Sequence, residues 1–161
     1  MKIRILCVGK CKEEYWKDAI AEYMKRLGRY CNPEIVEVED EKSTEKGNSG
    51  EANAKKAMKA EADRILRYLS DTDYLIALCV EGKQSSSEEF AEHLKDLQTQ
   101  GISSVTFLIG GSYGIHEELK NKAREKMSFS RLTFPHQLMR VVLLEQIYRC
   151  MKILNHEPYH K

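Results

Sequence analysis

Apolar and polar positions along the chain alternate in blocks that predict strand, helix, strand in repetition. Ile3, Ile5 and Cys7 alternate with Arg4, Leu6 and Val8 ahead of Gly9. A segment apolar on one face and mostly apolar on the other predicts a buried strand. Trp16, Ile20, Tyr23, Met24 and Leu27 then recur at helical spacing and stop near Gly28, predicting an amphipathic helix that Pro33 closes off. Glu34 to Glu39 sets Ile35, Glu37 and Glu39 against Val36 and Val38, a second and more exposed strand.

Asp40 to Gly50 (DEKSTEKGNSG) contains no apolar residue and predicts a mobile loop. Helix resumes with Met58, Ala62, Ile65, Leu66 and Leu69 on one face. The other face carries Lys55, Lys56, Lys59, Arg64 and Arg67, which is either a solvated surface or a contact for RNA phosphates. Three strand-like segments follow: Tyr74 to Val80, Ser104 to Ile109, and a short one around Met127 to Phe134. Between the first two, Ser86 and Glu89 have the spacing of a capping box ahead of Phe90, Leu94 and Leu97. The repetition predicts an α/β fold, a mainly parallel sheet with helices on both faces.

The last helix, from about His136 to Leu154, departs from a one-sided pattern. Leu138, Met139, Val141, Val142, Leu143, Leu144, Ile147, Tyr148, Cys150, Met151, Ile153 and Leu154 cover most of its circumference. A helix apolar nearly all round must be covered on two sides. The second cover is either another subunit related by a two-fold axis or the interior of a monomer.

With 161 residues the chain is the size of one domain, 1–161. A formal net charge of +1, from 26 Lys and Arg against 25 Asp and Glu, excludes a uniformly basic nucleic-acid binder, so any RNA contact must use a local patch. Five cysteines, Cys7, Cys11, Cys31, Cys79 and Cys150, are odd in number and form no C-x-x-C pair, which predicts reduced thiols and a cytoplasmic protein. The N-terminus reads as a strand and not as a signal peptide, and no run approaches the roughly 18–20 apolar residues of a membrane span.

Ligands of open α/β sheets bind at the carboxyl ends of strands, which draws notice to two loops. Glu81, Gly82 and Lys83 follow one strand; Gly110, Gly111, Ser112, Tyr113 and Gly114 follow the next. Glycines there admit positive φ and close approach of backbone groups to a ligand. The loop has neither the Gly-Lys-Ser/Thr ending of a P-loop nor G-x-G-x-x-G spacing. His93, His116, His136, His156 and His160 show no metal-binding pairing, and no G-x-S-x-G elbow occurs. Hydrolytic and metal chemistry therefore have little support. In Ser128 to Arg140 (SFSRLTFPHQLMR), Thr133 is placed to cap the last helix, with His136 in its first turn, either structural or chemical in role. The polar and aromatic tail from Asn155 to Lys161 needs another surface to hold it in order.

Taken together, IGGSYG after a strand, SFSRLTFPHQLMRVVLLEQIYR, and a chain ending in PYHK resemble the large-subunit ribosomal RNA methyltransferase H family. These are the pseudouridine-N3 methyltransferases of the SPOUT superfamily. The resemblance runs from KIRILCVGK to the final PYHK and is most specific in the C-terminal third. It implies a C-terminal portion tied in a deep trefoil knot, an exception to the rule that chains do not thread loops. It implies a homodimer with S-adenosylmethionine held in the knot, and no metal. Carried over by motif, the cofactor contacts are Leu78, Gly110, Phe129, Ser130, Arg131, Leu132, Thr133 and Phe134. The polar residues near the target base are His136, Arg140, Glu145, Tyr159 and His160. Tyr159 and His160 of one subunit are expected to complete the site over the cofactor of the other.

Adenine suits a slot of Leu and Phe side chains rimmed by backbone groups. Methyl transfer from a sulfonium asks mainly for alignment and exclusion of water. Near-neutral charge gives limited counterion release, so the expected substrate is an assembled ribosome presenting its 23S RNA, not DNA or a membrane. Lys10, Lys12, Lys122, Arg124, Lys126 and Lys161 are candidate phosphate contacts. Two other readings compete: a ribosome-associated protein that binds the cofactor without turnover, and a nucleotide hydrolase, which the missing P-loop lysine disfavours.

Overall fold

A computed structural model describes residues 1–41 and 50–160. Most of the expected 40–50 loop, and Lys161, lie outside the described residues. Five strands are present among these residues: β1 (Lys2–Val8), β2 (Asn32–Val38), β3 (Tyr74–Lys83), β4 (Ser104–Ile109) and β5 (Glu125–Met127). They alternate with α1 (Glu14–Leu27), α2 (Gly50–Leu66), α3 (Ser87–Thr99), α4 (Glu117–Lys122) and α5 (His136–Leu154). Every strand pairing is parallel, in the order β2-β1-β4-β3-β5.

Period-two alternation splits the core into two layers. Ile3, Ile5, Cys7, Ile76 and Phe107 face α1, α3 and α5, whereas Leu6, Val8, Leu75, Ala77 and Leu108 face α2 and α4. This is why β1 and β4 carry apolar residues on both faces. In the strand order, α1 and α3 make the steps in one direction on one face, and α2 and α4 the opposite steps on the other. The four crossovers therefore share one hand, as parallel connections do.

Several local expectations change. Pro33 does not close a helix; it lies inside β2, which starts at Asn32, and an edge strand tolerates its missing N–H. α1 ends at Leu27 instead, with Gly28 in ordinary helical conformation, φ −56°. β3 runs beyond Val80 to Lys83 through an irregularity after Leu78. The short last strand is Glu125–Met127, and the apolar residues Phe129, Leu132 and Phe134 belong to the loop after it. Thr133 does not cap α5: Pro135 occupies that position, without a side-chain cap bond. The capping box at α3 is formed, with Glu89 N–H donating to Ser86 Oγ at 3.2 Å and Ser86 N–H to Glu89 Oε2 at 2.7 Å.

α5 packs along α1 and α3. Leu143, Leu144 and Ile147 are completely buried, each contributing roughly 1.5–3 kcal/mol of transfer free energy. Leu138, Val141, Val142, Ile153 and Leu154 are only half-buried. Among the described residues no helix is long and apolar enough to cross a membrane.

Candidate functional site

The carboxyl ends of β3, β4 and β5 open into one cleft of about 340 Å³, within the range of small-molecule sites. Its walls come from three segments far apart in sequence: Leu78 to Glu81 after the core of β3, Ile109 to Ile115 after β4, and Met127 to Phe134 after β5. α5 adds His136 and Met139. The lining is apolar in Leu78, Ile109, Met127 and Phe129, with hydroxyls at Ser112, Ser128, Ser130 and Thr133. Leu132 at 73% and Phe134 at 40% exposure form an apolar lip open to solvent.

Three glycines permit this convergence. A Cβ on Gly110 would lie 2.5 Å from the carbonyl carbon and oxygen of Gly114 and 2.8 Å from Ile115 Cγ1. The loop therefore folds back on itself only without a side chain there, and Gly114, at φ +89°, closes it with its N–H donating to Gly111 O at 3.0 Å. A Cβ on Gly82 would lie 2.6 Å from Met127 N, so the ends of the paired strands β3 and β5 come into close contact. Ser128 N–H donates to Lys83 O at 3.0 Å just beyond this contact. Beneath the glycine loop lies buried Glu61, accepting from Glu41 N–H at 3.0 Å; burial raises its carboxyl above the usual range.

The cleft also holds an ion-paired lysine. Lys120 Nζ, mostly buried, bonds Glu81 Oε1 and, at 3.1 Å, Glu117 Oε1. Burial opposes the charge on Lys120, but the two carboxylates outweigh it and hold the ammonium above its ordinary value; the bond from Lys120 holds Glu81 low. The glycine-loop and β3-end positions were visible in sequence, whereas Lys120 was not, because only the turn of α4 brings it back over the β3 end.

The sequence-derived site residues separate into three places. Leu78, Gly110, Phe129, Ser130, Leu132, Thr133, Phe134 and His136 all line the cleft; Arg131 does not. His136 is half-buried, and burial followed by the charge of Arg140 lowers its imidazole below the ordinary value. Arg140 is wholly buried in this chain, donating to the carbonyls of Val8 and Gly9 and to Glu37.

Glu145, Tyr159 and His160 lie together elsewhere. Tyr159 donates its hydroxyl to Glu145 Oε1 at 3.1 Å, and His160 Nε2 pairs with Glu88 Oε1 at 2.8 Å. Arg149, which sequence reasoning passed over, organises this cluster: it bonds Glu145, approaches His160 Nδ1 at 3.4 Å, and lies 4.9 Å from the Tyr159 ring centre. Its four-residue spacing from Glu145 was the available signal. Burial, then bonds with Tyr23 and Glu145, push the Tyr159 phenol up. The tail is thus held in order by α5 and α3, and none of the three residues lines the cleft of its own chain.

Among the candidate phosphate contacts, Lys10 and Lys12 follow β1 and share the cleft's end of the sheet, while Lys122 and Arg124 precede β5 at the opposite end. Lys122 pairs with Asp71 at 3.0 Å. On α2, Lys55, Lys59 and Arg64 pair with Glu51, Asp63 with Glu118, and Glu41 respectively, which favours the solvated reading of that face.

Residues 1–160 match the family model described as "Predicted SPOUT methyltransferase". The chain is 55% identical over 161 residues to the ribosomal RNA large subunit methyltransferase H of Streptococcus uberis, with 100% of both chains covered. It is 52% identical, with the same coverage, to the protein of that name from Lactobacillus acidophilus. A solved structure described as a probable methylase family protein from Haemophilus influenzae Rd KW20 has a related fold. Its TM-score is 0.56 at 14% identity, covering 99% of this chain and 70% of that one.

Proposed function

Because the chain belongs to the SPOUT methyltransferase family, we propose that it transfers a methyl group from S-adenosylmethionine to N3 of a pseudouridine in large-subunit (23S) ribosomal RNA, acting on assembled ribosomes. The observation that carries this reading is the convergence of the three loops on one mostly apolar cleft, in a chain alike over its full length to proteins named for that class of substrate.

The cleft suits the donor. Leu78, Ile109 and Phe129 offer flat apolar walls for adenine, and the side-chain-free surface at Gly110 lets backbone groups approach it. When bound, the donor supplies an electrophilic methyl on sulfonium sulfur. The chain's task is then to hold the donor, exclude water with the lip of Leu132 and Phe134, and align the nucleotide. Arg131, outside the cleft and exposed, is free to reach the rim.

A second copy completes the site in this reading. The half-buried apolar side of α5 gives the dimer its contact, and Tyr159 and His160 of each chain close over the other's donor. The knotted C-terminal portion that the resemblance implies belongs to this same reading. A cytoplasmic location follows from the ribosomal substrate.

Calorimetry with S-adenosylmethionine, ATP and NAD tests the pocket, and methyl transfer to ribosomes beside free 23S RNA tests the substrate. The expected result is binding of the first ligand alone and transfer to ribosomes. Binding without transfer would leave a cofactor-binding protein, and binding of ATP or NAD instead would refute the reading.

A further inference from the structure

We propose that Arg140 and Glu37 are a positioning pair that fixes the turn after β1, and through it the imidazole of His136 on the cleft wall, so that Arg140 serves methyl transfer without touching RNA or donor. This rests on the methyltransferase reading of the cleft.

Arg140 ties three elements together from α5. Its Nη1 donates to Glu37 Oε1 on β2 at 2.6 Å, and its Nη2 donates to Val8 O at 2.9 Å and Gly9 O at 2.6 Å at the end of β1. The same Glu37 oxygen accepts from the Cys11 N–H at 3.0 Å, on the far side of the turn. Gly9 N–H donates to Val38 O at 2.8 Å. The turn from Gly9 to Cys11 is therefore held through its carbonyl and its amide ends at once.

His136 lies one helical turn before Arg140 and rests on that turn. Gly9 has φ +82°, and a Cβ there would stand 3.1 Å from His136 Nε2. The ring occupies the space that the glycine leaves, so a displaced turn displaces the ring. Arg140 has no exposed area with which to meet a nucleotide. A buried guanidinium stays in place only while its carboxylate and carbonyl partners do.

The charged groups facing His136 are Arg140 on α5, Glu13 before α1 and Asp40 after β2. Burial and Arg140 favour the neutral ring, and the two carboxylates partly offset them. A neutral imidazole at the cleft wall can accept a proton, and N3 of a pseudouridine gives one up as it is methylated.

The test compares wild type with Arg140→Met, Arg140→Lys and Glu37→Gln in three measurements. These are the NMR titration of His136 (assigned with His136→Gln), calorimetry with S-adenosylhomocysteine, and kinetics on ribosomes. In Arg140→Met, His136 is expected to titrate at higher pH, with kcat about tenfold lower or more and the ribosome KM within about twofold. Arg140→Lys keeps the charge but not the fork, and is expected to keep the low titration and recover part of kcat. A raised KM at unchanged kcat would show a direct RNA contact and overturn the proposal. So would an unchanged His136 titration in Arg140→Met. If that variant does not fold, Glu37→Gln decides: shifted His136 ring resonances and lowered kcat support the pair, and resonances identical to wild type overturn it. Failure of the underlying reading is distinguishable, because wild type would then not bind S-adenosylhomocysteine while the histidine titration still responds to Arg140.

Discussion

Gly110→Ala puts the most direct strain on the cleft. The added methyl would lie 2.5 Å from the backbone of Gly114 and 2.8 Å from Ile115 Cγ1. Two of these three contacts are with main chain, so relief requires the loop itself to move. Forcing a methyl into filled space costs about 1–3 kcal/mol. Much of that strain can be relieved by opening the loop, which deforms the donor cleft. If the whole cost falls on the bound state, affinity for S-adenosylmethionine drops roughly 5- to 150-fold. Gly101→Ala is the control: Gly101 has φ +85° with nothing within 4 Å, and it precedes β4 at the opposite end of the sheet. It should lose about 1–2 kcal/mol of stability from backbone strain and leave affinity unchanged. Calorimetric titration and thermal unfolding of both variants separate the effects. A Gly110→Ala protein that binds the donor within twofold of wild type, with an unchanged melting temperature, would refute the close-approach reasoning.

Other outcomes follow from the same geometry. Deleting residues 158–161 removes the Tyr159–Glu145 and His160–Glu88 contacts and should cut methyl transfer about tenfold or more; unaffected turnover would contradict the role given to the tail. Burial raises the Glu61 carboxyl, so the folded protein binds a proton more tightly there than the unfolded chain does. Stability from this group is present at pH below the usual carboxylate range and is lost as pH rises through the raised value. Glu61→Gln, which keeps an acceptor for Glu41 N–H, should therefore raise the melting temperature at neutral pH, with the gain shrinking in acid. Burial also pushes Cys7 and Cys150 up to about 12, so both should react with a thiol reagent at pH 8 about 1,000-fold more slowly than an unperturbed thiol until the protein is unfolded.

Where periodicity was strong, it placed the elements. The mostly apolar stretches of β1 and β4, the capping box at Ser86 and the long apolar α5 were readable because each is a local pattern. β5 was misplaced because a three-residue edge strand carries almost no alternation, while the bulkier Phe129, Leu132 and Phe134 beside it look like strand but serve the cleft. The glycine loop was legible as a turn, yet its need for glycine lies in Gly114 and Ile115 folding back on Gly110. Arg140 was named as a site residue from the company it keeps in sequence. Its burial against Val8, Gly9 and Glu37 depends on contacts more than 100 residues apart, which no local pattern encodes. Lys120 likewise gains Glu81 only from the fold, whereas the pairing of Arg149 with Glu145 is local and its spacing is visible in the sequence.

In the proposed function, three converging loops hold a methyl donor over a large-subunit ribosomal nucleotide. Mass spectrometry of 23S RNA from a strain lacking this protein tests it most directly. The expected result is one pseudouridine that has lost a single methyl from N3, restored when the purified protein and S-adenosylmethionine are added to that strain's ribosomes. A 23S RNA with its full set of methyl groups would contradict it.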